Sequence, residues 1–296
     1  MSKNNFIQLS FVFGIFWLAS CQSETSNTPE QIVEEIPRII SLSGFLTEVL
    51  AELGHGEKLV GRDVTSTFPK GLTANLPDLG HVTQMNAEAV LALNPTHIFV
   101  EKSQINQSLV FDQLSNAGID LIVVPTAPYL NNAVRAANVI SKHLSTDEQK
   151  VAQLTKQIKS DSLQLAGKLM DANNQPKVLF IYARGAGRLM VAGRNTSAAA
   201  IIQKAGGQNA IQSFEDFRAL TPEALLKAAP DVILMFESGL ESMDGKEGLA
   251  QITGIAQTAA FKKDRIIAMD GHYLTAFGTR AGQAALELAN QIHQTK

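Results

Sequence analysis

Imidazole is the side chain best suited to binding a transition metal or moving a proton near neutral pH. The chain carries six: His55, His81, His97, His143, His272 and His293. No two stand at metal-pair spacing, so a site with three or four protein ligands would need distant residues to converge. His97 lies in an apolar, strand-like run and reads as a core residue. His143 and His293 fall on polar helical faces, and His55 sits in a Gly-His-Gly turn. His81 differs. It follows Leu76-Pro-Asp-Leu-Gly80, in a loop just ahead of a helix start, where ligands of open α/β sheets bind. The sequence has no GxSxG elbow, HExxH helix, GxxxxGK[ST] loop or strand-to-helix GxGxxG. Gly185-Ala-Gly187 has the wrong spacing for a dinucleotide fingerprint and reads as a tight turn. Without a nucleophile–base motif, a hydrolase or transferase is a poor match, and binding is the better expectation.

The single cysteine, Cys21, excludes an internal disulfide framework and any CxxC metal site. It closes a segment with Lys3 near its start and an apolar run from Phe6 to Leu18, too short to span a bilayer as a helix. A basic start, a short apolar core and small residues describe an export signal. Leu18-Ala-Ser-Cys21 resembles a bacterial lipobox, which predicts a lipoprotein signal peptide over 1–20 and acylation of Cys21. Residues 21–36 read as an acidic, solvated tether, with Glu24, Glu30, Glu34 and Glu35 and no Lys or Arg. Across the 296 residues, 45% are apolar and 18% charged, which excludes a disordered or collagenous chain. The net charge of −3 gives no polybasic footprint for nucleic acid.

Apolar runs alternate with helical patterns from Arg38 onward, as in an α/β architecture. Arg38–Leu42, Lys58–Gly61, Thr96–Val100 and Asp120–Val124 read as strands of a first lobe over 37–128. Lys177–Tyr182 and Asp231–Phe236 read as strands of a second lobe over 176–296. Glu88-Ala-Val-Leu-Ala-Leu-Asn-Pro95 and Glu223-Ala-Leu-Leu-Lys-Ala-Ala-Pro230 repeat one pattern at an offset of 135 residues: Glu just inside a helix start, then Pro, then a strand. The repeat predicts two lobes of like topology. Between them, residues 129–175 carry no strand signal, and Ser145-Thr-Asp-Glu148 opens a helix expected to run to about Asp171. A single long helix predicts a stiff connection and a cleft that flexes little.

Several local sequences resemble one family. They include Arg38-Ile-Ile-Ser-Leu-Ser-Gly44, Thr47-Glu48, Leu76-Pro-Asp-Leu-Gly-His81, Asn86-Ala-Glu88, Met190-Val-Ala-Gly-Arg-Asn-Thr196, Ala205-Gly-Gly-Gln-Asn209, Leu220-Thr-Pro-Glu-Ala224 and Phe277-Gly-Thr-Arg280. Together they are similar to the substrate-binding proteins of ABC importers for haem, siderophores and cobalamin, most closely the hemin-binding branch. The resemblance implies a non-enzymatic, monomeric protein that captures haem between its lobes and delivers it to an inner-membrane permease with its ATPase. A ferric siderophore or cobalamin on the same scaffold is the alternative.

In that family a tyrosine usually follows the glycine aligned with Gly80 and binds iron. Here His81 stands there as the implied axial ligand, and imidazole serves both haem oxidation states. Thr83 occupies a position where the family often has arginine, so Arg184, Arg188 or Arg218 is expected to meet the propionates, with Arg218 ranked first. Phe45, Phe68, Phe217 and Phe277 are the implied cover for the macrocycle. Tyr182, His272 and Tyr273 all stay open as second-lobe ligands. Glu88 and Glu223 align with the lobe-surface glutamates that meet permease arginines, although each also suits the first turn of a helix.

Overall fold

The computed structural model describes residues 36–170, 172, 174–185, 187 and 189–294; Cys21, the expected signal and tether up to Glu35, and Arg188 lie outside the described residues. Four strands, β1 (Ile39–Ser41), β2 (Leu59–Arg62), β3 (His97–Glu101) and β4 (Asp120–Val124), form the first sheet in the order β2-β1-β3-β4, all parallel. Alternate residues of the strands serve opposite faces. Ile39, Phe99 and Ile122 pack with the Gly44–Glu52 and Asn132–His143 helices, and Ile40, Ile98 and Val100 with the Val110–Asn116 helix. Burial on both faces explains why these strands read as short continuous apolar runs.

The second sheet contains β5 (Lys177–Ala183), β6 (Leu189–Ala192), β7 (Gln208–Asn209), β8 (Phe217–Ala219), β9 (Val232–Phe236) and β10 (Ile266–Met269). Its order is β10-β9-β5-β6-β8, with β7 paired to the start of β5. β5, β9 and β10 are parallel, and β6 runs antiparallel to both of its neighbours, β5 and β8. β5, β9 and β10 thus repeat the β1, β3, β4 arrangement.

The repeat seen in the sequence reaches backbone detail. Asn86 and Thr221 cap the Ala87–Leu91 and Pro222–Ala228 helices with their side chains, and Glu88 and Glu223 each stand two residues past the cap. Just before the following proline, Asn94 and Ala229 both turn left-handed, with φ of 46° and 40°. That turn ends each helix and feeds the strand.

The segment between the lobes holds two helices, not one. Asn132–His143 packs into the first core, and Glu148–Met170 then runs 23 residues, about 35 Å at 1.5 Å per residue. The longer helix buries Leu154 and Ile158 in the first core and Leu165 in the second. No helix among the described residues is long and apolar enough to cross a membrane.

This helix supplies a stability test. Leu154→Ala is expected to destabilise the protein by about 2–5 kcal/mol in urea denaturation. Leu163→Ala on its solvent face, where the side chain is 64% exposed, should stay within about 0.5 kcal/mol.

Candidate functional site

In parallel sheets every strand ends on the same edge, and here the segments leaving those edges meet. Glu48, in the helix after β1, is buried to 3% exposure. Its partners all come from the segment after β10: His272 Nε2 (3.0 Å), Thr279 Oγ1 (2.5 Å), and the Arg280 backbone N, Nε and Nη2 (3.2, 3.2 and 3.0 Å). Burial alone would raise the Glu48 carboxyl, but donation from His272, Arg280 and Thr279 outweighs it and holds the pKa down at about 2. The approach is close enough to demand glycine at two places. A Cβ on Gly44 would lie 2.4 Å from the Thr65 carbonyl and 2.7 Å from the His272 ring, and one on Gly278 would lie 3.0 Å from Glu48 Oε1. Arg280 also stacks on Phe68, its Cζ 3.6 Å from the ring centroid, and on Tyr273 at 5.0 Å. Ligands of open α/β folds bind outside such strand ends.

His81 belongs to the long loop that follows β2. Residues 77–80 run beside 62–64: Arg62 N donates to the Pro77 carbonyl, Leu79 N to that of Arg62, and Val64 N to that of Gly80. The Arg62 guanidinium pairs with Asp78 at 3.0 Å and donates to the Thr73 carbonyl at 2.9 Å, closing the loop on itself. Gly80 has φ of 78°, a left-handed conformation natural to glycine, and it swings His81 out to an exposed position. Buried Val82 and Met85 anchor the short turn that follows. His81 Nδ1 lies 2.9 Å from Thr83 Oγ1 and accepts from Thr83 N at 3.3 Å, while Nε2 has no hydrogen-bond partner among the described residues.

On the second lobe, Tyr182, Phe217 and Phe236 form an aromatic shelf. Tyr182 meets Phe217 and Phe236 edge-on at 6.2 and 5.9 Å between centroids, and Phe180 supports Phe236 from beneath at 5.0 Å. Arg184 Nε donates to the Tyr182 hydroxyl at 2.6 Å.

These placements sort the sequence expectations. Phe68 and Phe217 are accessible, but Phe45 and Phe277 are each 3% exposed inside the two cores and offer no face to a ligand. Phe277, at φ 53°, instead turns the chain so that Thr279 and Arg280 reach Glu48. Arg218 lies on the opposite face of β8 from Phe217 and stacks on Phe214 at 4.7 Å, so strand alternation reverses its ranking against Arg184. His272 is taken by Glu48. Burial, reinforced by Glu287, pushes the Tyr273 hydroxyl up to about 12. Among the remaining histidines, His55 bonds Thr146, and burial with Lys58 and Lys150 nearby pushes it down to about 4; His97 bonds Thr96, and His293 the Ala205 carbonyl. Glu88 and Glu223 are exposed, one on each lobe. Among the described residues no three His, Cys, Asp or Glu side chains converge as a metal site.

A family model described as Periplasmic binding protein matches residues 39–273. The solved structure of the periplasmic heme-binding protein RhuT from Roseiflexus sp. RS-1, in its apo form, superposes with a TM-score of 0.81 at 35% identity, covering 87% of this chain and 98% of that one. The uncharacterised ABC transporter substrate-binding lipoprotein YvrC of Bacillus subtilis is 25% identical over 91% of this chain and 84% of its own length. A cobalamin-binding protein of Halobacterium salinarum is 22% identical over 93% of this chain and 74% of its own.

The Glu48 cluster makes stability depend on pH in a stated direction. A carboxyl that titrates near 2 when folded and near its ordinary 4.5 when unfolded stabilises fully above pH 4.5. That contribution, about 3 kcal/mol, disappears as pH falls toward 2. Unfolding free energies from urea titration should therefore be higher for wild type than for Glu48→Gln at pH 7, by an amount of this order, and the gap should shrink steadily below pH 4.5.

Proposed function

The chain belongs to the periplasmic binding protein family, and from that membership we propose that it is the substrate-binding component of an ABC importer that captures haem and hands it to an inner-membrane permease and its ATPase. The observation that carries the reading is His81, an exposed imidazole held on a glycine-led turn, with Nε2 unpartnered among the described residues. Haem asks for an axial donor, apolar cover and cations for its propionates. His81 supplies the first, and Phe68 with the Tyr182–Phe217–Phe236 shelf supplies the second. Arg184 stands beside that shelf as the cation.

Tyr182 is the second axial ligand in this reading. His272 and Tyr273 are the other second-lobe candidates, and both are otherwise engaged: the first is bonded to Glu48, and Arg280 packs over the ring of the second. A guanidinium donating into the Tyr182 oxygen, as Arg184 does, is the partner that an iron-bound phenolate needs. The likeness to RhuT, whose name gives heme as its ligand, supports haem as the cargo. Cobalamin is the competing cargo, since cobalt also accepts imidazole. Its corrin carries amides in place of propionates, however, which would leave Arg184 without a carboxylate.

Glu88 and Glu223, equivalent in the repeat and exposed at two helix starts, dock the permease through its arginines. Acylation of Cys21 after removal of residues 1–20 anchors the exported chain in the cell envelope.

Two experiments test these assignments. Hemin titration should give a saturable Soret shift that His81→Ala abolishes and Tyr182→Phe alters; an unsaturable wild-type titration removes the haem reading. Glu88→Ala/Glu223→Ala should bind hemin as wild type does yet lose import in cells, and normal import would sink the docking role.

A further inference from the structure

We propose that the Glu101 carboxylate sets how haem is turned in the cleft, by barring the propionate edge from the centre of the first-lobe wall. This deepens the haem reading and rests on it. Glu101 is the last residue of β3, which lies between β1 and β4. Both neighbouring strands deliver a hydroxyl to it two residues past their ends: Ser43 Oγ donates to Oε1, and Thr126 Oγ1 donates to Oε2 at 2.8 Å. One donor on each oxygen holds the group in place, and Gln104 Oε1 accepts from the Glu101 backbone N at 3.1 Å. Hydroxyls fix a carboxylate without cancelling its charge. Among the described residues no lysine, arginine or histidine forms an ion pair with Glu101, whereas Glu48 has both Arg280 and His272. Glu101 is half-buried and stands at the strand ends, outside which ligands of such folds bind.

A propionate is a second acceptor of the same sign. Neither group can donate to the other, so their approach is repulsive and leaves both without a partner. His81 stands in the loop that follows β2, and β3 lies two strands from β2, about 10 Å across the sheet. A propionate arm reaches about that far from its iron, so rotation about the bond from His81 to iron would bring the propionates within range of Glu101. Its charge closes that orientation. Arg184 on the second lobe favours another, and the pair divides the task between repulsion and attraction. The porphyrin ring itself carries no peripheral charge for Glu101 to act on.

Hemin and its dimethyl ester, which lacks the propionate charges, separate charge from packing. Glu101→Gln keeps size and hydrogen bonding, and a urea midpoint reads its fold. At low ionic strength it is expected to raise hemin affinity about 3–10-fold relative to the ester, a gain that shrinks in salt. Arg184→Ala should weaken hemin and leave the ester unchanged, and adding Glu101→Lys should recover the hemin loss alone, by turning the propionates to a new cation. An unchanged ratio of hemin to ester affinity in Glu101→Gln, with the Soret shift still dependent on His81, would overturn the proposal by itself. Equal gains for hemin and ester would overturn it too, as would an Arg184→Ala loss that Glu101→Lys leaves uncorrected. A wild-type titration that does not saturate would remove the haem reading and the proposal with it.

Discussion

The buried carboxylate of Glu48 is the constraint on which the arrangement of the two lobes depends. An ionised carboxylate withdrawn from water is strongly unfavourable unless hydrogen-bonded and paired. Its own lobe does not satisfy it. Five donors from His272, Thr279 and Arg280, more than 220 residues along the chain, supply what it lacks. Parting the lobes at this point would strand the acid and the Arg280 cation together, so the closed contact is self-enforcing above the acid range. Gly44 and Gly278 allow the backbones to come this close, and Phe277 in its left-handed turn aims the donors.

Two further features follow from that joint. The Glu148–Met170 helix has Leu154 and Ile158 in one core and Leu165 in the other, so it resists bending at the second connection. With a hydrogen-bonded cluster on the strand-end side and a continuous helix between the lobes, the cleft has little freedom to open widely. In the proposed reading, the ligand meets largely preformed walls: an imidazole turn from the first lobe, and an aromatic shelf with an arginine from the second. Little conformational entropy would then be lost on binding.

Much of this was legible in the chain. Buried parallel strands announce themselves as apolar runs, and Asp120–Val124 is a strand over the residues expected. The 135-residue repeat forecast like topology in the two lobes, and it extends to paired left-handed residues at Asn94 and Ala229. The loop placement expected for His81, ahead of the Asn86-capped helix, matches its exposed position. Properties set by register or long-range pairing were hidden. Phe45 and Phe277 were aromatic in suitable stretches, but which way a ring faces is decided by the core it fills. Choosing Arg184 over Arg218 requires knowing that β8 lies antiparallel on β6 and turns Phe217 to the shelf. Glu48 and Arg280 both lay within recognisable motifs, yet nothing local ties one to the other.

The proposed haem capture depends on iron being held between the lobes by His81. A crystal structure of the hemin-loaded protein tests this most directly. The expected result is one macrocycle against the Tyr182–Phe217–Phe236 shelf, with iron bonded to His81 Nε2 and to the Tyr182 oxygen. Hemin bound elsewhere, or in the cleft with His81 turned away from the metal, would contradict it.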